Sequence, residues 1–307
     1  MTYDVITFGS ATVDIFVKSD AISIEKNLPQ DILYLTKGSK NEIAQSLITS
    51  GGGATNSSVS FSRLGLKSAC TALFGQDQLS AFIVNDLKAD KVSTRFLVQS
   101  SKESTDFSVI LVSGDGARTI LTQRGSSRLE KHDITWPKLI SSWFYISSLE
   151  GNLDLLELLI GYASENQIQI ALNPGSRELS SPALRNLLSH LDFLLLNQQE
   201  AETLTGFSSE DSFFWPKLKS FKSKIIAVTK GRQGAHISTS TQTLFSPIIL
   251  SNVVDETGAG DAFGSTFVAG LIQDKNLNQC LNMALKNSAS VASHFGAKPG
   301  LLKKSKI

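Results

Sequence analysis

Asp255-Glu256-Thr257-Gly258-Ala259-Gly260-Asp261, followed by Ala262, Phe263, Gly264, Ser265, Thr266, Phe267, Val268, Ala269 and Gly270, decides how this chain is read. Ahead of it, Ser246 to Val254 is an apolar, strand-like run. Behind it, Phe263, Phe267 and Leu271 recur at near-helical spacing. The glycine turn therefore opens a helix, whose first N–H groups have no partner inside it. Glycines allow an anion to come close to those amides, and the helix dipole favours it there. Asp261 then places a carboxylate beside an anion site. The plain explanation is an Asp favoured by the dipole in a first helical turn. The sharper one needs the rest of the chain.

From Trp143 onward, strand-like and helix-like segments alternate: Phe144–Ser148 then Leu153–Tyr162, Ile168–Leu172 then Pro182–Ser189, Phe193–Leu196 then Ala201–Leu204. That rhythm implies a parallel sheet with helices on both faces, an α/β fold. Ligands of such sheets bind beyond the carboxyl ends of the strands. Asn173, Asn197, Thr229 and Asp255 are read as sitting at such ends. The first half is richer in strands. Val5–Gly9 is a buried strand, residues 31–36 and 43–48 are further ones, and Phe107–Val112 with Arg118–Gln123 form a hairpin across Ser113-Gly114-Asp115-Gly116. Ser68–Phe74 is a strand and Ala81–Leu87 a helix, with Asp77 either its cap or a ligand contact. Gly51-Gly52-Gly53-Ala54-Thr55-Asn56 runs into a second small-residue helix that stops at Gly65, and Asn56 has the donor and acceptor that vicinal hydroxyls need. A flexible hinge is the plainer reading of the three glycines.

Composition excludes several classes. The 307 residues carry 29 Lys+Arg and 28 Asp+Glu, so no charge field points to nucleic acid or a membrane surface. Lysines 298, 303, 304 and 306 read as a solvated tail. Cys70 and Cys280 are isolated, and His132, His190, His236 and His294 show no metal spacing. Residues 1–10 lack a signal-peptide pattern and no apolar run approaches ~20 residues, so a cytoplasmic protein is expected. Gly9 lacks the companion glycines of a dinucleotide turn, and GxxxxGK[ST] is absent. Asn197-Gln198-Gln199-Glu200 has the pattern of a capping box, which residues alone favour over a pair of magnesium ligands. Thr229-Lys230-Gly231-Arg232-Gln233-Gly234 suits phosphate contacts, or simply a turn into the next strand. Taken together, Asp261 beside an anion site is best explained as a base for a hydroxyl attacking a phosphorus that the amides hold.

These segments, in this order, resemble the PfkB family of carbohydrate kinases, the ribokinase-like fold. Gly51–Asn56 with Arg63-Leu64-Gly65 matches the family's N-terminal signature, Thr257–Asp261 its more specific C-terminal one, and Asn197…Glu200 and Thr229…Gly234 the motifs between. The resemblance implies a three-layer α/β/α domain over residues 1–307, with nine or so mostly parallel strands. A small β-sheet lid, roughly residues 12–49 and 98–126, would be inserted in it. It implies transfer of the ATP γ-phosphoryl group to a substrate hydroxyl, with Asp261 as base and the amides of Gly258, Ala259 and Gly260 as an anion hole. It further implies sugar contacts from Asp14, Gly52, Asn56 and Glu150. Nucleotide contacts would come from Asn197, Thr229, Gly231, Gly234 and Asn287, Mg²⁺ would be organised by Asn197 and Glu200, and a K⁺ site would include Asp255. A homodimer through the lid is expected.

Two departures matter. Glu256 replaces the family's usual Thr or small residue, and Gly53 stands where ribokinase-type members usually carry Lys. A sugar kinase is the first expectation, a nucleoside kinase the second and a non-catalytic sugar or nucleotide sensor the third. Arg118, Arg124 and Lys40 would suit an anionic substrate only if they converged, and a neutral acceptor is preferred.

Overall fold

The computed structural model describes residues 2–25, 32–113, 118–125 and 128–307. In chain order its strands are β1 (Tyr3–Phe8), β2 (Thr12–Lys18), β3 (Ser23–Glu25), β4 (Ile32–Tyr34), β5 (Gln45–Gly51), β6 (Ser68–Thr71), β7 (Leu73–Gly75), β8 (Val98–Ser100), β9 (Asp106–Val112), β10 (Arg118–Gln123), β11 (Ser141–Ile146), β12 (Gln169–Leu172), β13 (Phe193–Asn197), β14 (Ile225–Thr229), β15 (Ala235–Ser238) and β16 (Thr243–Ser246). The helices are α1 (Gly53–Arg63), α2 (Gln78–Ala89), α3 (Leu153–Glu165), α4 (Ser176–Leu179), α5 (Leu184–Leu187), α6 (Gln198–Thr205), α7 (Phe214–Lys219), α8 (Ala259–Ile272) and α9 (Leu277–Ala292).

Eight strands form the main sheet in the order β16-β15-β14-β13-β12-β11-β1-β6. The ladders from β6 to β14 are parallel, and β15 and β16 close the edge antiparallel. A strand such as Phe193-Leu194-Leu195-Leu196 is apolar throughout because both of its faces are covered. Ile6, Phe144, Ile170, Leu194 and Ile226 meet α3, α6 and α7 on one side. Val5, Tyr145, Ala171, Phe193 and Ala227 meet α1, α8 and α9 on the other. The result is three layers. The helix expected at Pro182–Ser189 is instead the short α5 followed by a 3-10 turn (Leu188–His190), and another short helix, α4, precedes it.

A second sheet, β10-β9-β2-β5, stands apart from the first. Its β9–β10 and β2–β5 pairs are antiparallel, while β2 and β9 are parallel. These strands match the expected lid, although β8 pairs with β7 and β3 with β4, so neither joins it. The hairpin tip at 114–117 lies outside the described residues. On one face of this sheet are Asp14, Ser108 and Thr122. The opposite face packs Val13, Ile15 and Phe107 against Ile83 and Leu87 of α2.

The strand expected over Ser246–Val254 is not formed. β16 ends at Ser246, Pro247 offers no N–H to a ladder, and Leu250 is 92 % exposed. Asp255 therefore does not follow a strand. Its amide and that of Val254 donate instead to the Ala292 carbonyl at the end of α9. Among the described residues no helix is long and apolar enough to cross a membrane.

Candidate active site

The glycine turn does open a helix. Gly258 caps α8 with a left-handed φ of 78°, and a Cβ there would lie 2.5 Å from the Ala297 Cβ, so glycine is required on two counts. Asp261 sits in the first turn and is half-buried. Asn56 of α1 donates from Nδ2 to its Oδ2 at 2.8 Å. The two small-residue helices approach closely, with Ser265 Oγ–H donating to Ser60 Oγ at 2.7 Å. Burial pushes the Asp261 carboxyl up from 3.8 to about 6, while the Asn56 hydrogen bond and the Lys298 charge hold it down and Asp14 pushes it further up. At pH 7 the group is thus ionised yet close enough to neutrality to accept a proton.

Two clefts meet at this turn. The first, about 500 Å³, lies between the main sheet and the small one, and Asp14, Gly52, Asn56, Glu150, Thr257, Gly258 and Asp261 all border it. Asp14 is buried on β2, and desolvation raises its carboxyl above the usual range. Asn56 Oδ1 is buried without a hydrogen-bond partner among the described residues, an acceptor left for a donor hydroxyl. The second cleft, about 350 Å³, has Asn197, Thr229, Gly231, Gly234, Glu256, Ala259 and Gly260 along a polar side and Val253, Leu285, Ala289 and Ala292 along an apolar one. That mixture suits a flat heteroaromatic ring with a phosphate tail.

Several expected residues stand elsewhere. Asn287 borders neither cleft. It is fully buried between α8, α9 and α1, donating to Thr266 Oγ1 at 2.7 Å and accepting from the Leu302 amide at 2.8 Å. Its neighbour Ser288 lines the second cleft in its place. Of the three anion-hole amides, that of Ala259 already donates to the Glu256 carbonyl at 3.2 Å. Asn197 and Glu200 form the reciprocal capping box: the Glu200 amide donates to Asn197 Oδ1 at 2.9 Å, and the Asn197 amide to Glu200 Oε2 at 2.8 Å. Glu200 is absent from both cleft walls, burial raises its carboxyl, and among the described residues no cluster of three or more His, Cys, Asp or Glu could hold a metal. A resident Mg²⁺ on Glu200 does not fit this arrangement. The Asp255 carboxylate accepts from Thr257 N, Thr257 Oγ1 and Gly296 N at 3.0, 2.7 and 3.0 Å, which clamps the glycine turn to the segment after α9.

Lys298 is not tail. It is 3 % exposed, and its ammonium donates to Ser50 Oγ and to Asp86 Oδ2, the latter at 3.1 Å. Its flanks, Gly296 and Pro299-Gly300, set it apart from the exposed lysines downstream and were the available signal. Arg177 of α4 was also missed. It lines the first cleft beside Glu150, which accepts from Arg124 as well. Lys40 is exposed and borders neither cleft, and the Arg118 side chain lies outside the described residues.

Comparison with known proteins agrees with this architecture. The chain is 25 % identical to the ribokinase of Staphylococcus aureus (strain COL), covering 98 % of this chain and 97 % of that one. It is 26 % identical to the ribokinase of Haemophilus influenzae, over 87 % and 89 %. The solved structure of Arabidopsis thaliana ribokinase complexed with ribose and ATP superposes with a TM-score of 0.81 at 20 % identity, over 99 % and 97 %, a likeness of fold. The model of the pfkB family carbohydrate kinases matches residues 5–304, and the chain belongs to that family.

Proposed function

We propose that the protein transfers the γ-phosphoryl group of ATP to a hydroxyl of a sugar. The observation that carries this is the position of the Gly258–Asp261 turn, which borders both clefts at once. An acceptor in the first cleft and a nucleotide in the second would meet there. The acceptor hydroxyl lies against Asp14, Asn56 and Asp261. As its oxygen bonds to the γ-phosphorus, the bond to the β–γ bridging oxygen breaks, ADP leaves, and the proton passes to the Asp261 carboxylate. The Gly258 and Gly260 amides and the start of α8 face the charge that develops on the transferring group. Thr229, Gly231 and Gly234 hold the phosphates, and Val253, Leu285 and Ala289 the base. Mg²⁺ arrives with the nucleotide as part of the substrate. Asp255, beside the glycine turn, would help to hold a K⁺ ion there.

The small sheet acts as a lid over the acceptor. Beyond the part that α2 covers, its outer face carries Ile48, Val109 and Leu121 in one cross-strand row, with Ile48 54 % and Leu121 56 % exposed. We assign that row to a dimer contact with a second copy. A nucleoside acceptor is the second reading, favoured by the apolar Ile110 and Ile120 on the lid's inner wall. The test is ADP formation across pentoses, hexoses, sugar phosphates and nucleosides. Saturable binding of a panel member with no ADP formed from any of them would replace the kinase with a sensor.

A further inference from the structure

The segments after β10, β11 and β12 place Arg124, Glu150 and Arg177 on the wall of the first cleft. Glu150 Oε1 accepts from Arg124 Nη1 at 2.6 Å, and its Oε2 lies 3.1 Å from Arg177 Nη1. Arg124 belongs to the small sheet, directly after β10, whereas Arg177 belongs to α4 of the main layer. The pair therefore comes from opposite jaws of the cleft and converges on one carboxylate. Two guanidiniums thus meet one carboxylate at this point of the cleft, which Asp14, Asp106 and Asp261 also line.

A stabilising ion triad is a weak explanation. The arginine side chains are 52 % and 63 % exposed, where ion pairs contribute little. Glu150 moreover holds a left-handed φ of 56°, which a non-glycine residue adopts at a cost. That conformation is enforced from below by the buried Glu178, whose carboxylate accepts from the amides of Leu149, Gly151 and Gly175 and from Ser148 Oγ. One buried group thus fixes both the loop that presents Glu150 and the start of the helix that presents Arg177. The strained turn is thus held in place by a buried network, which motivates a functional reading of this loop.

We propose that the acceptor carries an anionic group, a phosphate or a carboxylate, bound between Arg124 and Arg177, with Glu150 as the counter-ion that holds the guanidiniums apart until the anion arrives. The planar forks of arginine match either oxyanion with two parallel hydrogen bonds. This reading rests on the phosphoryl-transfer function and reverses the preference for a neutral acceptor.

Calorimetric titration tests the subsite without relying on turnover, with fructose against fructose 6-phosphate and glucose against gluconate. The two pairs separate a phosphate from a carboxylate. Wild type is expected to bind one anionic probe at least tenfold more tightly than its neutral partner. Arg177→Met and Arg124→Met, checked for unchanged melting temperature, should bring the ratio to within about twofold. Glu150→Gln should preserve or raise affinity for the anionic probe, an outcome that a merely structural triad does not give. Equal binding of each pair, tighter binding of the neutral members, or no binding of any probe would overturn the proposal. ADP formation is measured alongside. Anion-selective binding without ADP sinks the kinase reading and leaves the subsite, whereas phosphorylation of neutral sugars with no anion preference does the reverse.

Discussion

Replacing Asp261 by Asn should destroy turnover and, at the same time, stabilise the fold, but only above a certain pH. The carboxyl is raised from 3.8 to about 6, mainly by burial. Below pH 3.8 it is neutral in both folded and unfolded chains. As pH rises through that value the unfolded chain ionises first, so stability falls until the folded group ionises too, near pH 6, and stays lowered above it. At about 1.36 kcal/mol per pH unit the difference amounts to roughly 3 kcal/mol. Asn keeps the shape and can still accept from Asn56 Nδ2, but it does not titrate. With about 2.1 cal/mol/K of unfolding entropy per residue, a 3 kcal/mol gain in a chain of 307 residues raises the melting temperature by about 5 °C. Melting curves of both proteins from pH 4 to 8 should coincide near pH 4, separate as pH rises to about 6 and keep a constant gap above it, while turnover drops on the order of 10²–10⁴-fold. An equal gain at pH 4 and 7.5, a lower melting temperature at pH 7.5, or near-normal kcat would refute the reasoning.

Three further outcomes are expected. Lys298→Met removes the charge that holds the Asp261 carboxyl down, so the acidic limb of the kcat/KM profile should move to higher pH, and an unmoved limb would show that Lys298 only braces the chain. Glu178→Ala strands three amides of the 148–151 and 175 segments. At about 1–3 kcal/mol each, urea unfolding should show a loss of at least about 3 kcal/mol, with KM for the acceptor rising more than KM for ATP, and a loss under about 1 kcal/mol would deny Glu178 its part. Replacing tetramethylammonium by K⁺ at constant ionic strength should raise activity, whereas a flat response would leave Asp255 as a clamp alone.

The three-layer architecture and the glycine turn at Asp261 were legible because each rests on local chemistry. Buried parallel strands read as apolar runs, and Gly258 at φ 78° is a backbone requirement visible as a residue type. The capping box at Asn197 was legible for the same reason. What escaped depends on contacts distant in sequence. Ser246–Val254 is apolar enough for a strand, yet Val254 and Asp255 bond to Ala292. Asn287 and Ser288 are adjacent, and only the packing of α9 decides which faces the cleft. Lys298 is buried against a half-buried Asp86, 212 residues away in the chain. Arg177 gained meaning only when Glu150 and Arg124 were brought to it.

The place of β1 has a consequence for how the chain is made. It lies between β6 and β11, and its second neighbour begins only at Ser141. During synthesis a nascent chain therefore leaves one edge of β1 open from Phe8 until Ser141 emerges, and from Thr71 onward β1 has β6 as its sole partner. That edge belongs to an apolar strand, YDVITF, which is the kind of segment that templates pairing with other chains. The helix carrying Asp261 emerges later still. A chain stopped before Ala259 has every strand of the main sheet but no base and would be inert, whereas one stopped before β11 is complete would be prone to association, so any chaperone demand should fall on that earlier interval.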